Sequence, residues 1–134
     1  PKIVLGFSGK VKELVDVEKV AKDWIPLIRR FTGGGTVIVD DQTLFTTFIM
    51  NAKHAECDPY PRNIMHWSAD IFRPVFDDAK NFGLSEHDYT LGNAKIGGNA
   101  QAIVKDRWCH HTSFLWSYDP RRMQYLLMPK KRPV

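Results

Sequence analysis

Two glycine clusters, Gly33-Gly34-Gly35 and Gly97-Gly98, interrupt apolar, strand-forming sequence and constrain the fold more than any other feature. Glycine loses the most backbone freedom on folding, so such runs weaken a strand. They are useful where backbone must approach another group closely and point N–H groups at it. Each cluster also has cations beside it: Arg29 and Arg30 before the first, Lys95 before the second. Arginines so placed can pair bidentately with a carboxylate or phosphate. A hairpin tip is the plain alternative for the first segment, and a surface lysine for the second.

The sequence around the glycines reads as a single mixed α/β domain, of the α+β class, with mostly antiparallel or mixed sheets and helices packed on them. Ile3, Val4 and Leu5 predict a buried strand over 2–6, closed by the turn Ser8-Gly9-Lys10. Asp16 can cap a helix through Val17, Val20, Ala21 and Trp24, with Glu18 in its first turn and Pro26 ending it. A short strand over 27–30 leads into the glycines. Strands over 36–39 and 44–50 flank the turn Asp40-Asp41-Gln42. Ile64, Trp67, Ser68, Ile71, Phe72 and Val75 recur at helical spacing, and Pro74 should kink or shorten that helix. Strands follow over 88–91, over 95–104 broken at Gly97-Gly98, and over 108–116. Asp119-Pro120 starts a last helix, carrying Met123, Leu126 and Leu127 before Pro129.

Composition narrows the function classes. The chain has 134 residues, 43% hydrophobic and 25% charged, which fits a globular domain with a real core. A net charge of +4 permits an acidic partner, with the sharpest positive concentration at Arg121, Arg122, Lys130, Lys131 and Arg132. No basic stripe or nucleic-acid-binding motif accompanies it. No apolar run reaches membrane-spanning length, so neither nucleic acid nor membrane is expected as a partner. Cys57 and Cys109 are far apart and lack CxxC spacing, which favours a reducing, intracellular and soluble setting. The compartment, cytoplasm or organelle, stays open.

Other candidates are weaker. His110 and His111 are adjacent, so on a strand they face opposite ways, and no second ligand cluster supports a metal. One of them is expected to point inward and hydrogen-bond, the other to be peripheral. Cys109 would need an activated thiolate to act as a nucleophile. His87-Asp88 could form an acid–base couple or a plain exposed turn.

Taken together, three segments resemble a known family. Arg29 to Val37 follows the order Arg-Arg-x-[Ser/Thr]-Gly-Gly-Gly-x-Val; Lys95 to Ala100 follows Lys-Ile-[Ser/Gly]-Gly-[Ser/Asn]-Ala; His110 to Leu115 follows His-His-x-[Ser/Thr]-x-Leu. That order is similar to the lipoate–protein ligase A and lipoyltransferase family, of the biotin/lipoate A/B ligase superfamily, and the match spans most of the chain. It implies ATP-dependent activation of lipoate as lipoyl-adenylate, with Mg2+ accompanying ATP, and transfer to a lysine of a lipoyl domain. The acceptor would be a lipoyl domain of a 2-oxoacid dehydrogenase complex or a glycine-cleavage H-type protein, docking near the basic C-terminal segment.

The family's catalytic lysine falls on Lys95. Its nucleotide- and lipoate-binding positions fall on Arg30, Gly33, Gly34, Gly35, Thr36, Val37, Ile38, Gly98, Asn99, Ala100, His111 and Ser113, with Arg29 and Asp88 as further candidates and no metal ligands. Val39-Asp40 stands where the family commonly has His-Asp, and Gln42-Thr43 where it has Gly-Asn. Cysteine-dependent octanoyl transferases of the superfamily place their nucleophile near Phe82 to Ser85, where this chain has none. The resemblance also implies a single catalytic domain over 1–134, truncated at both ends and lacking an accessory domain. Alternatives kept open are transfer from preformed lipoyl-adenylate and a non-catalytic lipoyl- or nucleotide-binding module.

Overall fold

Ile3 and Leu5 are the residues around which the first part of the chain is built. They alternate inward on strand β1 (Lys2–Leu5) and are almost fully buried. β1 pairs in parallel with β2 (Leu27–Arg29) and antiparallel with β3 (Val37–Val39), giving a three-stranded sheet in the order β2-β1-β3. Val15 and Val20 complete this core, with Leu14, Ile25, Ile38, Tyr125 and Leu126 packed against it. The computed structural model describes residues 1–76 and 81–129. They fall into two compact units, the first formed by Pro1–Thr43 with Trp116–Val134 and the second by Leu44–Leu115.

Two short helices lie in the first unit, α1 (Val11–Leu14) and α2 (Val17–Lys22). The Asp16 carboxylate accepts from the Lys19 amide at 3.1 Å, the cap its sequence position predicts. α2 ends at Lys22 and not at Trp24, because Trp24 turns to a φ of +54°. The helix expected over 119–127 is a 3-10 helix, Pro120–Tyr125, capped by Asp119. It stops there because the chain leaves to pair with other backbone: Leu126 bridges Val15, and the Leu127 amide reaches the Leu14 carbonyl at 3.0 Å. Lys130, Lys131 and Arg132 lie outside the described residues.

The second unit is a five-stranded sheet under one long helix. Its strands are β4 (Thr43–Asn51), β5 (Phe82–Ser85), β6 (Asp88–Leu91), β7 (Ala94–Val104) and β8 (Arg107–Leu115), in the order β4-β8-β7-β6-β5. β3 and β4 flank the predicted turn but enter different sheets. β7 runs unbroken through Gly97 and Gly98, against expectation, since both stay in register with Phe114 and Ser113 of β8. After a short helix α3 (Ala52–Ala55) comes α4 (Pro61–Phe72), which buries Ile64, Met65, Ser68, Ala69 and Phe72 on one face. Pro74 converts its end to a 3-10 turn, Arg73–Phe76, so Val75 loses the helical phase and is exposed.

Aromatic rings fill the layer between α4 and the sheet. Phe72 meets Tyr89 and Phe114 edge-on at centroid distances of 5.5 and 5.0 Å, and Trp67 meets Phe48 and Trp108 at 5.2 and 5.0 Å. Each such pair adds about 0.5–1.5 kcal/mol beyond its buried area. These contacts fix the sheet's inner face, which determines which residues remain on the outer one.

Candidate functional site

Arg30 holds the glycine loop and Arg29 holds the turn after β1, although the motif suggests both for a ligand. Arg30 donates from Nε and Nη2 to the Gly33 carbonyl at 3.2 and 2.8 Å, and from Nη2 to the Gly35 carbonyl at 2.8 Å. Arg29 Nη1 donates to the carbonyls of Gly6, Phe7 and Gly9 at 3.1, 3.0 and 2.6 Å. Both guanidinium groups therefore shape backbone through charge-assisted bonds.

The loop's N–H groups follow from these contacts. In a trans peptide the N–H points opposite to the C=O of the same plane. With the Gly33 and Gly35 carbonyls turned to Arg30, the amides of Gly34 and Thr36 face away from it. The Gly34 carbonyl packs so closely on Gly6 that a Cβ there would collide with it, which turns the Gly35 amide away from Gly6. Gly34 itself adopts a φ of +91°, a conformation that requires glycine. The result is a run of backbone donors on an exposed loop, an arrangement that suits an anion. Next to it, Thr36 Oγ1 is buried and has no hydrogen-bond partner among the described residues. Val37 and Ile38 continue into β3, where Ile38 packs on the core of the first unit.

In the second unit, strand alternation separates two chemistries. Trp108, His110, Thr112 and Phe114 of β8 face inward and are buried, whereas Cys109, His111 and Ser113 are half-buried on the outer face. Across from them on β7, Gly98, Ala100 and Ala102 share that outer face. Lys95 should be on the inner face, because it lies an odd number of positions from Gly98. A β-bulge changes that: Tyr89 pairs with Gly97 but Thr90 pairs with Lys95, so Ile96 is the extra residue. The bulge turns Lys95 onto the face of Asp88 and Gly98.

There Lys95 Nζ meets Asp88 Oδ2 at 2.7 Å, both partly exposed. Gly98 lies directly beside the pair: a Cβ there would stand in ordinary van der Waals contact with Lys95 Cε, Ser113 Oγ and Asp88 Oδ1, at 3.8–3.9 Å. Asp88 thus has Lys95 as its ion-pair partner, and the His87 carbonyl accepts from Asn99 Nδ2 at 3.0 Å.

Beneath the sheet runs a buried polar chain that sequence reading foresaw only as an inward histidine. His110 Nδ1 is 3.1 Å from Gln101 Nε2, which also donates to the Pro61 carbonyl at 3.2 Å. That amide nitrogen can only donate, so Nδ1 accepts and Nε2 carries the proton toward Ser68 Oγ, 3.0 Å away. Ser68 in turn donates to the Met65 carbonyl and meets Tyr89 Oη at 2.6 Å. Burial, reinforced by His111, lowers the His110 pKa to about 4, so its ring is neutral. Thr112 Oγ1 donates to Asn99 Oδ1 at 2.5 Å, extending the chain to the edge of the outer face. The strict alternation Trp-x-His-x-Thr-x-Phe over 108–114 was the available signal for it.

The remaining candidates separate clearly. Burial pushes both thiols up, Cys57 with a further contribution from Asp58, which disfavours the thiolate a nucleophile needs. Arg121 is bound to Asp119 by two bonds of 3.0 Å, and Arg122 pairs with Asp40 and Asp119, so neither is an unengaged cation. Among the described residues no group of His, Cys, Asp and Glu could hold a metal ion. No helix among them is long and apolar enough to cross a membrane.

The sequence profile of the lipoyl protein ligase A/B catalytic domain matches residues 1–133, and the chain belongs to that family. An inactive lipoate–protein ligase 2 of Plasmodium falciparum is 30% identical over 98% of this chain and 43% of its own length. A lipoate-protein ligase A of Blochmanniella floridana is 27% identical over 98% of this chain and 39% of its own. The chain thus spans less than half the length of these curated relatives.

Solved structures agree on the fold. A lipoate-protein ligase A bound with ATP superimposes with a TM-score of 0.81 at 22% identity, over 96% of this chain and 56% of that one. P. falciparum LipL1 in complex with lipoate gives 0.73 at 21% identity, over 98% and 37%. A Thermoplasma acidophilum bipartite lipoate protein ligase, studied with its E2 lipoyl domain, gives 0.70 at 24% identity, over 97% and 51%.

Proposed function

We propose that this chain is the part of a lipoate–protein ligase that binds an activated lipoyl group and passes it to a lysine of a lipoyl domain. The observation that carries the reading is Lys95, whose partly exposed ammonium a β-bulge turns onto the sheet face that Asp88 and Gly98 share. An acyl-phosphate anhydride needs a fixed cation at its carbonyl and phosphate bridge and N–H donors for its remaining oxygens. Within the second unit Lys95 is a cation of the first kind, and within the first unit the amides of Gly34, Gly35 and Thr36 are donors of the second kind. Gly98 and Ala100, with His111 and Ser113 beside them, offer an outer face on which an aliphatic chain can lie. Asn99 belongs to the same segment, with its side chain turned inward.

In this reading the lipoate carboxylate attacks the α-phosphorus of ATP to give lipoyl-adenylate with release of pyrophosphate, and Mg2+ would travel on the nucleotide's phosphates. The acceptor amine then forms an amide with the acyl carbon while the acyl–phosphate C–O bond breaks and AMP departs. Support comes from the ATP-bound and lipoate-bound folds that this chain resembles, and from the three sequence segments in their order. The acceptor is a lipoyl domain, by analogy with the archaeal ligase and its E2 lipoyl domain; a glycine-cleavage H-type protein offers the same chemistry.

Incubation of the full-length protein with ATP, lipoate and an acceptor lipoyl domain tests the reading, with the acceptor's mass as readout. Lys95→Ala should abolish the mass shift. ATP–pyrophosphate exchange separates a complete ligase from a transferase that takes only preformed lipoyl-adenylate. For docking, a chain of net charge +4 should associate with an acidic lipoyl domain more slowly as salt rises. A salt-independent rate would remove charge from the docking account.

One observation favours a second reading, a non-catalytic binding module: the P. falciparum relative at 30% identity is an inactive ligase. Tight calorimetric binding of a lipoyl-adenylate analogue without transfer is the result that reading requires.

A further inference from the structure

Asn99 and Asp88 occupy adjoining places around Lys95, and neither has its side chain unengaged. Both ends of the Asn99 amide are used: Oδ1 accepts from Thr112 at 2.5 Å and Nδ2 donates to the His87 carbonyl at 3.0 Å. A side chain so occupied has little left for a ligand. What it does instead is tie β7 to the residue just before β6. That junction needs a tie, because Glu86 turns at a φ of +52°, where a non-glycine residue is strained. Thr112 is fully buried beside His110 and Ser68, so the anchor end of Asn99 rests on the rigid inner layer.

The next residue after His87 is Asp88, paired in register with Gly98 and holding the Lys95 ammonium at 2.7 Å. Lys95 is long, flexible and more than half exposed, and a lysine in that state samples many rotamers. Asp88 restricts it to a position in contact with Gly98.

We propose that Asn99 and Asp88 are positioning residues for Lys95: Asn99 pins the His87 carbonyl, the pinned turn aims the Asp88 carboxylate, and the carboxylate holds the lysine over Gly98. The proposal rests on the reading of Lys95 as the group that meets the activated acyl ligand, and it changes the role expected of Asn99 from ligand contact to support. An incoming anionic ligand then replaces Asp88 as the partner of a lysine already in place. Removing Asp88 should therefore tighten apparent ligand binding, by freeing the ammonium, and slow transfer, by unfixing it. A residue with a merely structural role would not lower KM and kcat together.

The direct test needs no turnover. The full-length protein is treated with a limiting amine-acylating reagent, and the modification of Lys95 is quantified by mass spectrometry against Lys105, an exposed lysine in the β7–β8 turn. An ammonium engaged by a carboxylate is withheld from the reagent. Asp88→Asn should raise the Lys95 to Lys105 ratio roughly threefold, as the loss of a partly exposed ion pair allows. Asn99→Asp keeps the acceptor for Thr112 but sets a carboxylate oxygen against the His87 carbonyl in place of the donor, so the tie is lost and the ratio should rise in the same direction; a melting curve confirms that the variant is folded. Asn99→Ser, too short to span the gap, serves if the aspartate variant does not fold.

An unchanged ratio in Asp88→Asn overturns the proposal. A raised ratio there with none in a folded Asn99 variant overturns the part assigned to Asn99. If both ratios rise but wild-type protein transfers no lipoyl group, the positioning geometry stands and the ligase reading fails.

Discussion

Gly34 shows how much a single backbone angle decides here. At a φ of +91° a Cβ is strained, so Gly34→Ala should cost about 1–3 kcal/mol in chemical denaturation and weaken nucleotide binding together with stability. His110 makes a different prediction, through protons. Its folded pKa of about 4 lies below the ordinary 6.5, so between these values the unfolded chain binds more protons than the folded one. Stability is then full above pH 6.5 and falls as pH drops toward 4, by up to about 3 kcal/mol. Denaturation midpoints measured across that window should show the slope, and His110→Gln should flatten it. Lys95 itself was legible as a residue, from the motif that contains it, but not as a geometry. Simple alternation places it opposite Gly98, and only the extra residue in the Tyr89–Thr90 pairing brings it round.

Among the elements, α4 holds the sheet that carries Lys95, and its one buried polar side chain is Ser68. Ser68→Ala would leave His110 Nε2 and Tyr89 Oη without their shared partner. The expected loss is about 1–3 kcal/mol by equilibrium unfolding, more than the small change in volume would cause. The sequence made α4, β6 and β8 readable because each repeats its period long enough, or is bounded by Pro or Gly clearly enough, to be seen. It could not announce α1, α3 or β5, since four residues hold too few repeats to show a period. The final helix failed for another reason. Asp119-Pro120 predicted its start correctly, but its end is set by pairing of 126–127 with backbone at 14–15, a contact more than a hundred residues distant in sequence. The arginines before the first glycine cluster were found by motif, yet their contacts are with carbonyls of the chain itself. A sequence pattern gives the residue type a site needs, while the acceptor it chooses depends on the folded backbone.

At the scale of the whole molecule, the family is established by the match over residues 1–133, and the fold by solved structures that superimpose well at low identity. The basic segment looked like a docking patch in sequence, but Arg121 and Arg122 are each matched by a carboxylate. If the proposed acidic partner is steered by charge, the effect should follow the net charge more than these two residues. The central claim is that Lys95 stands where an activated lipoyl group is held. The most direct measurement is the mass of an acceptor lipoyl domain after incubation with the full-length protein and preformed lipoyl-adenylate, wild type beside Lys95→Ala. The account predicts one added lipoyl group with the wild type and none above the uncatalysed background with the variant. Equal lipoylation by a folded Lys95→Ala protein would contradict it.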